Sequence, residues 1–429
     1  MLVLVLHLLI LIWMFTRTRI FFAASVPRWV LPLILVLKVL GGYAIARYYL
    51  NTYQGGDIHG YLADTKAFHD LFQSSPAAFF SIVFGYYDHD PATLAFLSKL
   101  NIWFDSGYGN QYNDARTVIR FHALLSMVSA NNEWVHLIWS NVLSMLGMLA
   151  LLRFFYSREG RESAIPWAAL FIFFLPNVFI WTSAILKEPL LVFAMGMTLR
   201  YFQLWNQQRR AGYFAIMVFF VLCFLLVKSF WLLAFLPGLL AWYLFPRMKN
   251  AVRTITLAYA CLTALLLLGG LFIPAINVPE LLFGQQRNMW RFAVYMHSGS
   301  LVHPVSFAPD PLSFLKHLPE AFAYGMFQPW PWQLAHWYYF PLFLENLIFP
   351  CLLIPAVLRY RKNSTPACPE TVLAFIAGAV IVVVSAYTTP VIGSLIRYRM
   401  PGLVLMLLAL FRYLLPAEQR RETTEHLEA

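Results

Sequence analysis

"WTSAILKEPLL", Trp181 to Leu191, sets Lys187 and Glu188 side by side between two apolar runs, each long enough to reach into a membrane. An ionisable residue at membrane depth is costly and is kept for pairing or for function. Pro189 suits the first turn of a new helix, because the N–H it lacks is one that a helix start leaves unbonded in any case. The stretch therefore predicts a break between two short apolar helices, with a polar site at the break. Lys187 beside Glu188 also reads as a local ion pair.

The composition outside this stretch agrees. Of 429 residues, 60% are hydrophobic and 12% charged, against roughly a quarter charged in a soluble domain. Apolar runs recur at 2–16, 29–46, 134–152, 164–182, 189–205, 213–228, 230–245, 254–274, 338–358, 371–389 and 400–415. Each is close to the ~20 residues that cross a bilayer, or somewhat short of it. The fold class expected is all-α, a polytopic transmembrane helical bundle of about eleven spans. It forms one integral membrane domain over 1–415, followed by a charged cytoplasmic tail, 416–429. The first run has no basic segment ahead of it, and Thr16-Arg17-Thr18-Arg19 stands where a cleavage site would be, so it reads as a retained span. The four cysteines show no paired spacing, which argues against a disulfide framework or a thiolate metal site.

The net charge of +11 is not a nucleic-acid footprint, because most Lys and Arg cluster beside apolar runs. Cytoplasmic loops of membrane proteins collect such residues. With the amino terminus outside, the inner segments hold Arg17, Arg19 and Arg28; Arg153, Arg158 and Arg161; Arg209 and Arg210; Arg247, Lys249 and Arg253; Arg359, Arg361 and Lys362; and Arg420 and Arg421. Every inner segment is then basic. Two long loops, about 47–133 and 275–337, fall on the outer side, where their amphipathic stretches suit interfacial helices.

The first loop opens "NTYQGGDIHGYLADTKAFHDLF". A helix starting near Asp57, after a Gly-Gly turn, brings Asp57, Tyr61 and Asp64 onto one face, with His59 close by. A carboxylate at the bilayer surface can act as general base toward a hydroxyl, and an Asp at a helix start can equally be an N-cap. "YYDHDP" adds Asp88 and Asp90, a D-x-D spacing able to hold a divalent cation such as Mg or Mn; its rival is a plain turn before Pro91.

Lys187, Lys228, Arg287, Arg291, Arg397 and Arg399 oppose the charge trend, and an anionic ligand is a natural reason for them. In "GSLIRYRMPG", residues 393–402, Pro401 favours an extended approach, in which Arg397 and Arg399 point the same way as a diphosphate clamp. The alternative is two arginines snorkelling at a helix start. Arg287 and Arg291 are one helical turn apart in the second loop. Trp330 and Trp332 crowd with Trp337, Tyr338 and Tyr339, either as an interfacial belt or as a sugar-stacking platform. Glu345, with Asn346, lies inside an apolar run, which makes it a functional candidate, as Lys38 is in the second run.

This layout resembles the C-type glycosyltransferase superfamily: many spans, an early outer loop with an Asp near its start, and a late R-Y-R-x-P before the last span. The resemblance implies an enzyme of bacterial envelope glycan assembly in the inner membrane, transferring a sugar or glycan from a polyprenyl-phosphate carrier. It implies Asp57 as the base, with Asp64 as alternative, and Arg397 and Arg399 on the lipid phosphate. Lys187, Arg287 and Arg291 would assist, and His59, Tyr61, Glu188, Trp330, Trp332 and Glu345 would contact substrate. Other envelope-glycan assembly proteins would be partners. The chain departs from the pattern in placing its acidic loop after the second span and in lacking an adjacent acidic pair, which keeps Asp57 and Asp64 both open. An O-antigen-type polymerase or ligase, a transporter or flippase, and a non-catalytic export scaffold are the competing readings. No P-loop is visible, which argues against a nucleotide-linked donor.

Overall fold

A computed structural model describes residues 2–18, 26–53, 56–86, 91–103, 113–156, 165–246, 248–273, 276–333, 339–363 and 367–415. It is 82% helical, and its described residues hold no strand, only an isolated bridge between Leu301 and Val391. The chain divides into two compact units, 1–168 with 179–229, and 169–178 with 230–429.

The first stretch of chain forms α1 (Leu2–Arg17), α2 (Val30–Tyr53), α3 (Asp57–Ser74), α4 (Pro76–Phe84), α5 (Pro91–Leu97), α6 (Ala115–Ser129) and α7 (Glu133–Tyr156). A 3-10 segment, Trp167–Phe174, leads to α8 (Pro176–Ser183), α9 (Lys187–Gln208) and α10 (Ala211–Leu233). Then come α11 (Leu236–Leu244), α12 (Ala251–Gly269), α13 (Val278–Tyr295), α14 (Pro311–Lys316), α15 (Leu318–Phe327), α16 (Tyr339–Asn363), α17 (Pro369–Thr388) and α18 (Ile392–Leu414).

Among the described residues, seven helices are long and apolar enough to cross a membrane: α2, α7, α10, α12, α16, α17 and α18. Counting α8 and α9 as one bent span makes eight. The difference from eleven has local causes. Pro176 divides the 164–182 run into a 3-10 segment and a short helix, and the 230–245 run is the end of α10 followed by α11. The apolar run 2–16 is a helix of 16 residues, shorter than the rest.

In the first unit α7 is central, with 83% of its apolar window buried. It meets α9 backbone to backbone: a Cβ on Gly147 would lie 2.4 Å from the Val192 carbonyl oxygen, and one on Gly196 would lie 2.1 Å from that of Gly147. In the second unit α17 and α18 cross in the same way, at Gly378 and Gly402. Small residues at crossings are how helices gain packing energy when the surrounding solvent is as apolar as their side chains. The apolar windows of α10 and α12 are only 22% buried. They expose Phe219, Leu222 and Phe230, and Leu257, Leu265 and Leu268, a surface that suits hydrocarbon and not water. The molecule is a helical membrane protein.

Candidate functional site

The break anticipated at Trp181–Leu191 is present: α8 and α9 meet at 108° across 184–186, all of which are buried. Irregular backbone at membrane depth is tolerated only where protein surrounds it. Asn141 Nδ2 donates to the Ser183 carbonyl at 2.8 Å, and Lys38 Nζ donates to Thr182 Oγ1 at 2.7 Å and Ser183 Oγ at 3.1 Å. The ammonium thus sits at the negative end of α8, where the helix dipole favours a cation.

Lys187 and Glu188 open α9. Consecutive helical residues diverge by about 100°, so they do not face each other. Lys187 Nζ donates to Asp114 Oδ2 at 2.9 Å, and Lys228 Nζ reaches the same oxygen at 3.4 Å. Lys228 gets there because the chain leaves helical geometry at it, with φ −161 and ψ 79, inside α10. Asp114 immediately precedes α6, whose first turn is tied to α10 by Thr117 Oγ1 donating to the Leu226 carbonyl at 2.7 Å. Arg116 and Arg120, one turn apart on α6, lie 5.6 and 5.3 Å from the ring of buried Trp103. Among the described residues, four cations, Lys187, Lys228, Arg116 and Arg120, therefore gather with Asp114 near the start of α6. Clustered cations beside the positive end of a helix suit a phosphate or diphosphate.

α3 starts at Asp57, after Gly56 at φ 94, and its turns put Asp57, Tyr61 and Asp64 on one face. Their surroundings differ. Asp57 is half-buried at the helix start, His59 is exposed, and Tyr61 belongs to the apolar core of its unit. Asp64 is fully buried, with both oxygens engaged: they accept from the backbone N–H of Asn101 (2.6 Å), Ile102 (2.9 Å) and Trp103 (3.2 Å), and from Asn101 Nδ2 (2.9 Å). It fastens the 101–103 segment to α3. Asp88 and Asp90 lie outside the described residues, and no cluster of three His, Cys, Asp or Glu suited to a metal occurs among the described ones.

In the second unit the segment around Arg397 and Arg399 is not extended. It is the first part of α18, so the two side chains leave the helix roughly 200° apart and cannot clamp one diphosphate from one side. Arg397 is half-buried. Arg399 is fully buried and donates to the carbonyls of Gly325 (2.7 Å) and Met326 (2.8 Å) and to Asn346 Oδ1 (2.6 Å). Asn346 Nδ2 in turn donates to the carbonyls of Phe327 (2.9 Å) and Gln328 (3.1 Å). Arg399 and Asn346 together satisfy the carbonyls that α15 leaves unbonded at its end. Glu345 Oε2 accepts from the backbone N–H of Asn177 at 2.6 Å, the corresponding service at the start of α8.

Arg287 and Arg291 are exposed on α13 and make no hydrogen bond or salt bridge to described residues. Trp290, between them, lines a cavity of about 540 Å³ together with His303, Gln328, Trp330, Trp332 and Gln333. Trp330 and Trp332 stack at 5.3 Å and 7°, and Trp290 stacks on His303 at 6.2 Å and 21°.

No family model, curated protein or solved structure matches the chain. Fold and site define a class only: a polytopic helical membrane protein with a buried helix break and a cation cluster. Sequence reasoning set Lys228 among the exceptional cations and passed over Asp114. The signal for Asp114 was its place just ahead of the periodic run that becomes α6, where an acid at a helix start is expected. Gln328 and His303 carried no such signal.

Proposed function

We propose that this protein is a membrane glycosyltransferase of bacterial envelope glycan assembly, acting at the outer face of the inner membrane on a polyprenyl-phosphate-linked donor. The observation that carries the reading is the convergence of Lys187 and Lys228 on one carboxylate oxygen of Asp114 at the ends of apolar helices. Two nearly buried ammonium groups brought to one carboxylate concentrate positive charge where a lipid phosphate can be held. The lipid phosphate sits on these lysines, with Arg116 and Arg120 nearby. Arg399 leaves the phosphate-binding set, since its donors hold α15. Asp57 is favoured over Asp64 as base, because the oxygens of Asp64 are saturated.

In the reaction the acceptor hydroxyl attacks the anomeric carbon and gives its proton to Asp57. The glycosidic C–O bond breaks, and the polyprenyl phosphate leaves with the electron pair, its charge stabilised by the lysines. The test is transfer in proteoliposomes from a synthetic polyprenyl-phosphate sugar. Asp57→Asn should lower turnover by ~100-fold or more while donor binding persists; unchanged turnover sinks Asp57 as base. A transporter or flippase is the second reading, favoured by the 108° break beside buried Lys38. It calls for movement of the intact lipid across the bilayer with no glycosidic bond formed.

A further inference from the structure

We infer that the cavity between α13 and the 328–333 turn is a carbohydrate subsite that stacks one pyranose unit of the glycan against Trp330 and Trp332. Its volume of about 540 Å³ falls in the ordinary range for small-molecule sites, ~300–1,000 Å³. Pyranose rings present apolar C–H faces and a rim of hydroxyls, so a site for them needs flat aromatic surface and uncommitted hydrogen-bonding groups at its edge. Both are here. Trp332 is 77% exposed, and it is held parallel to Trp330. His303, exposed on the lining, makes no hydrogen bond to described residues, and neither does the Nε2 of Gln333.

The walls are fixed ahead of binding. Gln333 Oε1 accepts from the Trp330 backbone N–H at 2.7 Å, which sets the tryptophan turn. Asn346 holds the Gln328 carbonyl at 3.1 Å. On the far wall, Val302 N–H donates to the Pro390 carbonyl at 2.9 Å and Ile392 N–H to that of Ser300 at 3.0 Å. An interfacial aromatic belt accounts for Trp332 being exposed. It does not account for two stacked aromatic pairs facing a cavity. The described lining carries no Lys, Arg, Asp or Glu, so the part of the ligand bound here is the neutral sugar and not its phosphate.

This inference deepens the proposed function and rests on it for the sugar's carrier. The test is saturation-transfer NMR on the full chain in detergent, with maltose, cellobiose and N,N′-diacetylchitobiose as probes. The expected result is saturable millimolar binding of at least one probe, weakened about tenfold or more, or ~1.4 kcal/mol, by Trp332→Ala and by His303→Leu. Trp332 is exposed, so its removal leaves the fold intact. Lys187→Gln/Lys228→Gln should bind the same probe unchanged. Absence of saturable binding to wild type, or binding that both pocket variants retain, overturns the subsite. Sugar binding that passes this test, in a protein that holds no polyprenyl phosphate, would overturn the lipid-carrier reading alone.

Discussion

Arg399 shows how a residue that looks functional in sequence can be structural in three dimensions. Its three bonds at 2.6 to 2.8 Å close off the end of α15 from the first part of α18. Arg399→Met would leave those carbonyls unbonded in an apolar interior. It should cost about 3 kcal/mol, seen as a lower melting temperature in detergent, with lipid-phosphate binding retained in the folded fraction. Loss of that binding without loss of stability would restore Arg399 to the phosphate site. His122 offers a second test. Its Nδ1 lies 3.0 Å from that of His136, so one ring donates and the other accepts, which requires at least one of them neutral. Burial, and then the His136 ring, hold the His122 pKa well below its ordinary value. The sign follows: the stability is fully present above the unfolded pKa of ~6.5 and is lost as pH falls below it, toward the folded value. Melting measured across that range should show the acid loss shrinking in His122→Asn; an unchanged profile would contradict the assignment. The types of these residues were legible in the sequence, and their partners were not. Lys187 finds Asp114 across 73 positions and Glu345 finds Asn177 across 168, and no local pattern encodes such pairings.

Elements were read better than partners, because apolar length and turn residues act locally. The break before Pro189 and the helix start at Asp57 both appear where the residues place them. The extended segment before Pro401 does not. A proline disfavours the helical region for the residue ahead of it, but in a membrane helix the demand for internal backbone bonding overrides that preference. α18 runs straight through it, and the two arginines separate. The glycine crossings were also unread, since a glycine in an apolar run looks the same whether it faces lipid or another backbone. Gly147→Val should destabilise the protein by roughly 3 kcal/mol or more, because the neighbour it meets is the Val192 carbonyl and cannot turn aside. Gly212→Val, with nothing within 4 Å, is the control and should change the melting temperature little.

At the scale of the whole molecule, membrane character is carried by composition and was fully legible: exposed leucines and phenylalanines on α10 and α12 mark the surface that meets lipid. Chemistry is carried by the few polar groups that survive in that setting, above all the two lysines on Asp114. The most direct measurement of their role is native mass spectrometry of the intact protein released from mild detergent, wild type beside Lys187→Gln/Lys228→Gln, with polyprenyl phosphate added to both. Wild type should retain the lipid, and the double variant should lose it at equal folded amount. Equal retention by both, or by neither, would contradict a lipid phosphate seated on Lys187 and Lys228.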